Sequence, residues 1–304
     1  MIILEPHNID YSTVVSSIPE DPAEAWTSTK TYAKEAIVRY GIYLYTSLQD
    51  SNTNHQPSTT LSGLDAWWKR TTVTNRGAAF DAALYTQSVA PEGTSEITIS
   101  FPWARGATGF GLLNMTGVTN VNIKVVDGSS TIVYNQDFNL LDGVDNWWDY
   151  YAGLWDYKSD LTEFTSTPLV SGTFTATLTG GEPAIGHIMV GETWTLGKSL
   201  RNATAEIKDF SVYNTDDFGN TTVIQRSFAK TYNIEVSLDL SKADSTFKRL
   251  TNIRAKSCLW RGDDVSLSDG GLDFLIAFGY FKRAPLTAQS ASTATYNLEI
   301  EGLI

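Results

Sequence analysis

Short runs in which apolar and polar side chains alternate, each closed by a glycine-rich turn, recur along this chain and constrain its fold more than any other feature. Between residues 95 and 196 they are SEITISF, GFGLLNM, VNIKVV, STIVYNQDF, GTFTATLT and IGHIMVGETWTL, punctuated by APEGT, VDGSS and LTGGEPA. A period of two sends successive side chains to opposite faces of a strand, and turn residues at this spacing close antiparallel pairs, so the stretch reads as a β-sandwich. DGVDNWWDYYAGLWDYKSD breaks the rhythm; aromatic and acidic, it reads as an insertion with an acidic rim around a buried aromatic plug.

The texture of the sequence divides the chain into three. Residues 1–70 read as a small β module: TKTYAKEAIVRYGIYLYTSLQD alternates, Gly41 falls where a two-residue hairpin loop belongs, and the polar loop SNTNHQPSTT precedes Trp67 and Trp68. Residues 71–200 are the antiparallel sandwich. Residues 201–304 read as an α+β assembly domain, in which TTVIQRSFAKTYNIEVSLDL is a long strand or hairpin and CLWRGDD, LDFLIAFGYFKR and ATYNLEIEGL are returning strands. Between them SKADSTFKRLTNIRAK shifts to helical spacing, with Phe247, Leu250 and Ile253 on one face, Ser241 as N-cap and Asp244 in the first turn. The expected class is mainly β with one helix.

Composition narrows the function. Lys plus Arg total 22 against 34 Asp plus Glu, a net charge of −12, of which the three parts carry −3, −8 and −1. An acidic chain without basic clusters is a poor match for phosphate, so nucleic acid is not an expected partner. The 36 aromatics argue against disorder. A single cysteine, Cys258, allows neither an internal disulfide nor a cysteine-based zinc site. MIILEPHNID lacks a basic leader, and no apolar run approaches the length of a membrane span, so folding in a cytoplasm is expected.

Candidate chemistry is sparse. The chain has no HxH, HExxH, GxSxG, P-loop or GxGxxG pattern, and the glycine-rich ARGATGFG precedes a strand rather than a helix, so neither a cofactor nor a metal is expected. His7, His55 and His187 are the histidines; His187, in IGHIMV, reads as structural, and His55, in the polar loop, is placed to touch a ligand. Asp142, Asp145, Asp149, Asp156 and Asp160 cluster among tryptophans and tyrosines, a composition shared by glycosidase carboxylate pairs and calcium loops, though without the spacing of either. Arg261-Gly262-Asp263 and Asp216-Asp217-Phe218-Gly219-Asn220 read as turns.

Three resemblances add to this. Trp26, then Tyr32, Val38, Tyr40, Tyr43 and Tyr45, then Asn54 and Pro57, then Trp67 and Trp68 resemble the small chitin- and cellulose-binding modules of families five and twelve. The likeness covers about 45 residues. It departs at Glu35-Ala36, where those modules carry Gly-Asp, and in SLQDSNTNHQP, which lacks their exposed loop tryptophan. Aromatic rings bind the flat C–H faces of sugars, and the resemblance implies Trp67, Trp68, Tyr43 and His55 as the carbohydrate-contacting residues. The middle part resembles jelly-roll, galactose-binding-like sandwiches. Over nearly the full length, the order of Asn75-Arg76, Phe80-Asp81, Asp216–Gly219, Arg226–Lys230, Leu259–Asp263 and Leu298–Gly302 resembles bacteriophage and prophage tail proteins. That resemblance implies a non-enzymatic virion subunit of the tail tip, baseplate or connector, folded in the host cytoplasm. Its implied partners are other tail proteins, further copies of itself in a symmetric oligomer or ring, and a host-surface glycan. Trp260 and Phe281 would then be core or assembly-interface residues. A dedicated glycan receptor-binding protein, and a polysaccharide-degrading enzyme using Asp142, Asp145 or Asp149, are the alternative readings.

Overall fold

The computed structural model describes residues 1–58, 66–81, 83–103, 106–142, 147–152, 156–169, 171–200, 203–226, 228–262 and 273–303. The chain is mainly β and antiparallel, with one longer helix towards its C-terminus, which is the class the alternating runs predict.

The first strand, β1 (Ile2–Pro6), is followed by a 3-10 turn over Tyr11–Thr13 and a short strand, Val15–Ser16, that pairs with Ile99–Ser100, and then by the small module. Its sheet runs from Glu24–Ala25 through β2 (Ile37–Tyr40) and β3 (Tyr43–Ser47) to β4 (Trp68–Val73). Tyr40 faces Tyr43 across the turn, so Gly41 and Ile42 form the two-residue loop, and Gly41 has the φ of +59° that such a loop requires. Tyr32, Val38, Tyr45 and Trp68 form the module's core.

The middle of the chain contributes β5 (Glu96–Trp103), β6 (Ala107–Asp127), β7 (Ile132–Asn139), the short α1 (Trp147–Ala152), β8 (Leu161–Leu169) and β9 (Gly172–Thr195). GFGLLNM and VNIKVV are two halves of β6, and GTFTATLT and IGHIMVGETWTL two halves of β9. LTGGEPA, expected as a turn, is instead a bend inside one 24-residue strand. Glycine makes the bend possible: a Cβ on Gly180 would lie 2.0 Å from the Gly117 carbonyl oxygen, closer than any side chain permits. The register slips at this point, as at a β-bulge. Before the bend β6 pairs with β8 and the C-terminal half of β9, and beyond it with β7 and the N-terminal half of β9. Phe110 of the first half packs 6.1 Å from Phe138 and 5.7 Å from Phe174 on the second, so the two halves enclose one core.

The C-terminal part supplies β10 (Thr204–Asp209), β11 (Val212–Thr215), β12 (Thr221–Ile224), β13 (Phe228–Asp239), α2 (Ala243–Asn252), β14 (Cys258–Arg261), β15 (Ile276–Arg283) and β16 (Thr293–Gly302). A continuous path of paired strands crosses the body in the order β7-β6-β9-β1-β14-β15-β16-β13. In it β1 lies between β9 and β14, with Ile3 opposite both Trp194 and Trp260. Residues 1–70 are therefore not one unit. Ile3, Leu4, Val14 and Ile18 are buried in the cores of the body, and the aromatic module occupies roughly residues 24–73. A five-residue strand has too few alternations to announce its partner, which lies nearly two hundred residues away.

The helix also differs in detail from expectation. A 3-10 turn over Leu240–Lys242 leads into it, Lys242 rather than Ser241 precedes its first residue, and Ser245 and Thr246 donate to the Lys242 carbonyl, each at 2.9 Å. Asp244 lies in the first turn as expected. The buried face is Ala243, Thr246 and Leu250, continued by Ile253, and Phe247 is 54% exposed. Arg249 ties the helix to the sheet: it pairs with Glu5 at 3.2 Å and Glu192 at 3.0 Å, and its guanidinium lies 4.7 Å over Trp194.

Candidate functional site

The four expected sugar-contacting residues have four different environments. Trp68 is fully buried; its indole Nε1 donates to the His55 carbonyl at 2.7 Å, and Tyr32 packs edge-on at 5.4 Å. It is a core residue and has no face for a sugar, because it opens β4 on the inward side of the pleat. Trp67, just outside the strand, is half-buried, and one face of its ring is covered by His55 in a parallel stack at 3.8 Å and 9°. His55 Nδ1 contacts the Asn52 amide oxygen at 3.1 Å. Asn52, buried completely, donates to Ser47 Oγ at 3.0 Å and to the Trp67 carbonyl at 3.4 Å, so it holds the loop that carries the stack. Tyr43 sits at the other end of β3, since Ser47 pairs with Trp68 and Tyr43 with Val73, a separation of roughly 13 Å along the strand. Its ring is covered by the Arg70 guanidinium at 4.7 Å.

A different group of module residues converges on a cleft. Trp26 and Tyr40 pack edge to face at 5.7 Å, and together with Arg39 and Gly41 they form one wall. Asp10, Tyr11, Ser12 and Glu20, from the chain that follows β1, form the other, around about 440 Å³. Glu20 accepts from Arg39 and pairs with Arg76 at 2.9 Å, a charged triad of one carboxylate and two guanidiniums in which Glu20 and Arg39 line the cleft. Burial and the neighbouring Glu20 both raise the Tyr11 phenol above its usual range, keeping it protonated. Gln56 donates to Tyr40 Oη at 2.6 Å. The sequence reading missed this cleft because half of it comes from residues ahead of the module, which carry no motif.

The remaining candidates separate cleanly. Trp260, expected in the core or at an interface, is 1% exposed; its indole donates to the Gly279 carbonyl at 2.9 Å, and β14 is buried on both faces. Phe281 packs edge-on against it at 6.0 Å and is half-buried, so both belong to the body's core rather than to an outer surface. Arg261 is 1% exposed with its guanidinium 4.9 Å over Phe164, which hides the first residue of the Arg-Gly-Asp tripeptide. Asp263 lies outside the described residues. His187 is buried and stacked on Phe278 at 4.7 Å, and burial pushes its pKa down to about 4. His7 is half-buried, and its backbone N–H donates to Val190 at 2.9 Å. Cys258 is buried, which raises its thiol to about 12.

Of the clustered aspartates, Asp145 and the side chains of Asp142 and Asp149 lie outside the described residues. Asp156 is exposed and accepts from the Tyr157 N–H at 2.9 Å. Asp160 accepts from the Asn114 N–H at 2.9 Å and pairs with Lys230 at 3.4 Å. Among the described residues no group of three or more His, Cys, Asp or Glu could hold a metal ion. The expected aromatic plug is inverted: Trp147, Trp148 and Tyr151 on α1 are 76%, 77% and 76% exposed, and Trp147 stacks on Tyr151 at 5.8 Å.

Among the described residues, a ribbon carries several exposed apolar side chains. β10 pairs with β13, and β11 with β12, so residues 204–233 run out from the sheet and back. Every described residue from Thr204 to Asp209 and from Val212 to Ile224 is exposed, including Ile207 at 69%, Tyr213 at 65%, Val223 at 57% and Phe218, at the tip, at 91%. The tip is tightly built. Asp216 accepts from the N–H of Phe218 at 2.9 Å and of Asn220 at 2.8 Å, and from the Asn220 amide at 2.9 Å. Gly219 takes a φ of +85° to close the turn. These bonds hold the Asp216 carboxyl below its usual range.

No protein-family profile matches the chain, and no curated protein matches it. Among solved structures it is similar to the module CpGH89CBM32-6 produced by Clostridium perfringens, at 13% identity and a TM-score of 0.27 over 38% of this chain and 83% of that one. It is also similar to CpGH89CBM32-4 of Clostridium perfringens, solved in complex with GlcNAc-α-1,4-galactose, at 16% identity and a TM-score of 0.26 over 37% of this chain and 78% of that one.

Proposed function

We propose that this protein is a non-enzymatic structural subunit of a bacteriophage tail, at the tip, baseplate or connector, that works by binding neighbouring subunits. The exposed ribbon carries this reading. A two-stranded hairpin is marginally stable alone in water, and a contiguous exposed apolar surface marks a surface that is covered in use. The aromatic face of α1 supports the same conclusion, and the order of motifs along the sequence supports its placement in a tail. Quantitative mass spectrometry of particles purified from a producing culture tests it: the chain is expected in the tail fraction at a fixed ratio to other tail proteins. Its absence from intact tails would overturn the reading.

A second reading, contact with a host-surface glycan, is favoured by the cleft between the module and residues 10–20. Aromatic walls beside a carboxylate and guanidiniums suit a saccharide, with rings for C–H faces and charged groups for hydroxyls. Calorimetric titration with host polysaccharide should show saturable binding that Tyr40→Ala abolishes and Trp67→Ala leaves within about twofold. No heat at millimolar saccharide would remove this reading.

A further inference from the structure

The ribbon ends in an aromatic knob, and the same chain carries an apolar hole. A cavity of about 210 Å³ is walled by Leu84, Leu113, Ile276, Phe278 and Leu303, with the 67%-exposed Tyr85 at its rim. Phe228 and Lys230 at the base of the ribbon also border it, so hole and ribbon root adjoin on the surface. Phe218 is 91% exposed and so does not occupy its own chain's cavity. It stands at the turn about six extended residues, roughly 20 Å, out along the ribbon from Asp209 and Phe228.

We propose that Phe218 at the ribbon tip seats in the cavity beside Tyr85 of a second copy of this chain. The inference rests on the assembly reading above and names the surfaces involved. Chemistry matches on both sides. A phenyl ring leaves water for a wall of Leu, Ile and Phe, and the tip carboxylates Asp216 and Asp217 arrive at a lip that carries Lys230. That ammonium meets Asp160 at 3.4 Å and keeps donors for a second carboxylate. Rigidity matches as well: the Asp216 bonds fix Phe218 before contact, so little ordering entropy is lost on docking. Each exposed aromatic can bury roughly 150–250 Å², and Tyr213 pairs with Val223 on one face of the ribbon, so Phe218 with that face supplies about half of the roughly 800 Å² per partner of a specific interface, and the exposed polar side chains of residues 212–224 can add the rest. Because knob and hole are different patches of one chain, the contact is either made twice across a two-fold axis or made head-to-tail, and the latter repeated around a closing rotation axis gives a ring.

The test uses the full chain. Light scattering should give a mass well above 33.4 kDa for the wild type at high concentration. Phe218→Ala should weaken self-association by about thirtyfold, the scale of an interface hot spot, and Phe218→Asp by more. Under mild oxidation, Phe218→Cys mixed with Tyr85→Cys should give a crosslinked dimer that neither variant gives alone; the buried Cys258 contributes no background. A wild type that stays monomeric, an oligomer indifferent to Phe218→Asp, or a disulfide that forms in Phe218→Cys alone would each overturn the contact. These outcomes are separate from the assembly reading. Phe218→Asp chains that still enter tails at the normal ratio would refute the contact and leave the reading standing, whereas a wild-type chain absent from intact tails would refute the reading itself.

Discussion

Trp67 and Trp68 are neighbours in sequence and opposites in environment. Sequence spacing marked both as aromatic residues of a sugar-binding type of module but could not say which ring faced inwards. The pleat decides it, and the difference is measurable. Trp68→Ala should cost about 3–5 kcal/mol of stability in a denaturant titration, as for a fully buried aromatic, whereas Trp67→Ala should cost about 1 kcal/mol, the worth of a stacked pair. Equal losses would mean that the assignment of faces is wrong. Glu35 shows a departure with a structural cost: where the resembling modules carry Gly-Asp, it has a φ of +69°, a region that favours glycine. Glu35→Gly should therefore raise the free energy of unfolding by about 1 kcal/mol, read as a higher midpoint in a denaturant titration. His187 reads as structural from its strand and is buried, with consequences for pH. Its folded pKa of about 4 lies below the ordinary 6.5, so the unfolded chain binds the extra proton first. The stability from the neutral imidazole is complete above about pH 6.5 and is lost as pH falls towards 4, a few kcal/mol in all. His187→Phe should flatten the stability profile over that window; an unchanged slope would assign it to other groups.

Among elements, the alternating runs located most strands, because the period of two is a local property. They did not show that two pairs of runs are halves of two long strands, because a glycine that permits a bend and a glycine that permits a turn look alike in sequence. Gly180 distinguishes them. With the Gly117 carbonyl 2.0 Å from where its Cβ would be, Gly180→Ala should destabilise the body by about 2–4 kcal/mol. Gly128, in the turn after β6, has open space around its Cβ position and should accept alanine with little change. Comparing the two variants by thermal melting tests whether the bend is a packed crossing. The helix was legible from its spacing, but its inward face was not. Phe247 sits one position off the buried row, and the more polar Thr246 takes its place because its hydroxyl can bond the Lys242 and Ala243 carbonyls.

At the scale of the whole molecule, the short first strand is what joins the parts. It pairs with β9 on one side and β14 on the other, so the sandwich and the C-terminal strands share one sheet and the division at residue 200 is a change of texture within it. Removing residues 1–6 should prevent cooperative folding of the entire body, although the module begins only near residue 24. A variant that melts as a single transition at the wild-type temperature would contradict this. The surfaces available to partners were the least legible feature of the sequence. Trp260 and Phe281 were open between core and interface and are core, while the aromatic residues of α1 were expected inside and are exposed. Burial of an aromatic depends on which strands flank it, which no local pattern carries. The ribbon, by contrast, combines an alternating run with a turn that was readable as such, and only its projection from the sheet was hidden. The central claim is that this ribbon joins subunits within a tail, and a cryo-electron-microscopy map of the intact particle tests it most directly. The account predicts density for this chain in the tail with residues 212–224 packed against an adjoining subunit. A tail in which the chain is present and those residues face solvent on every copy would contradict it.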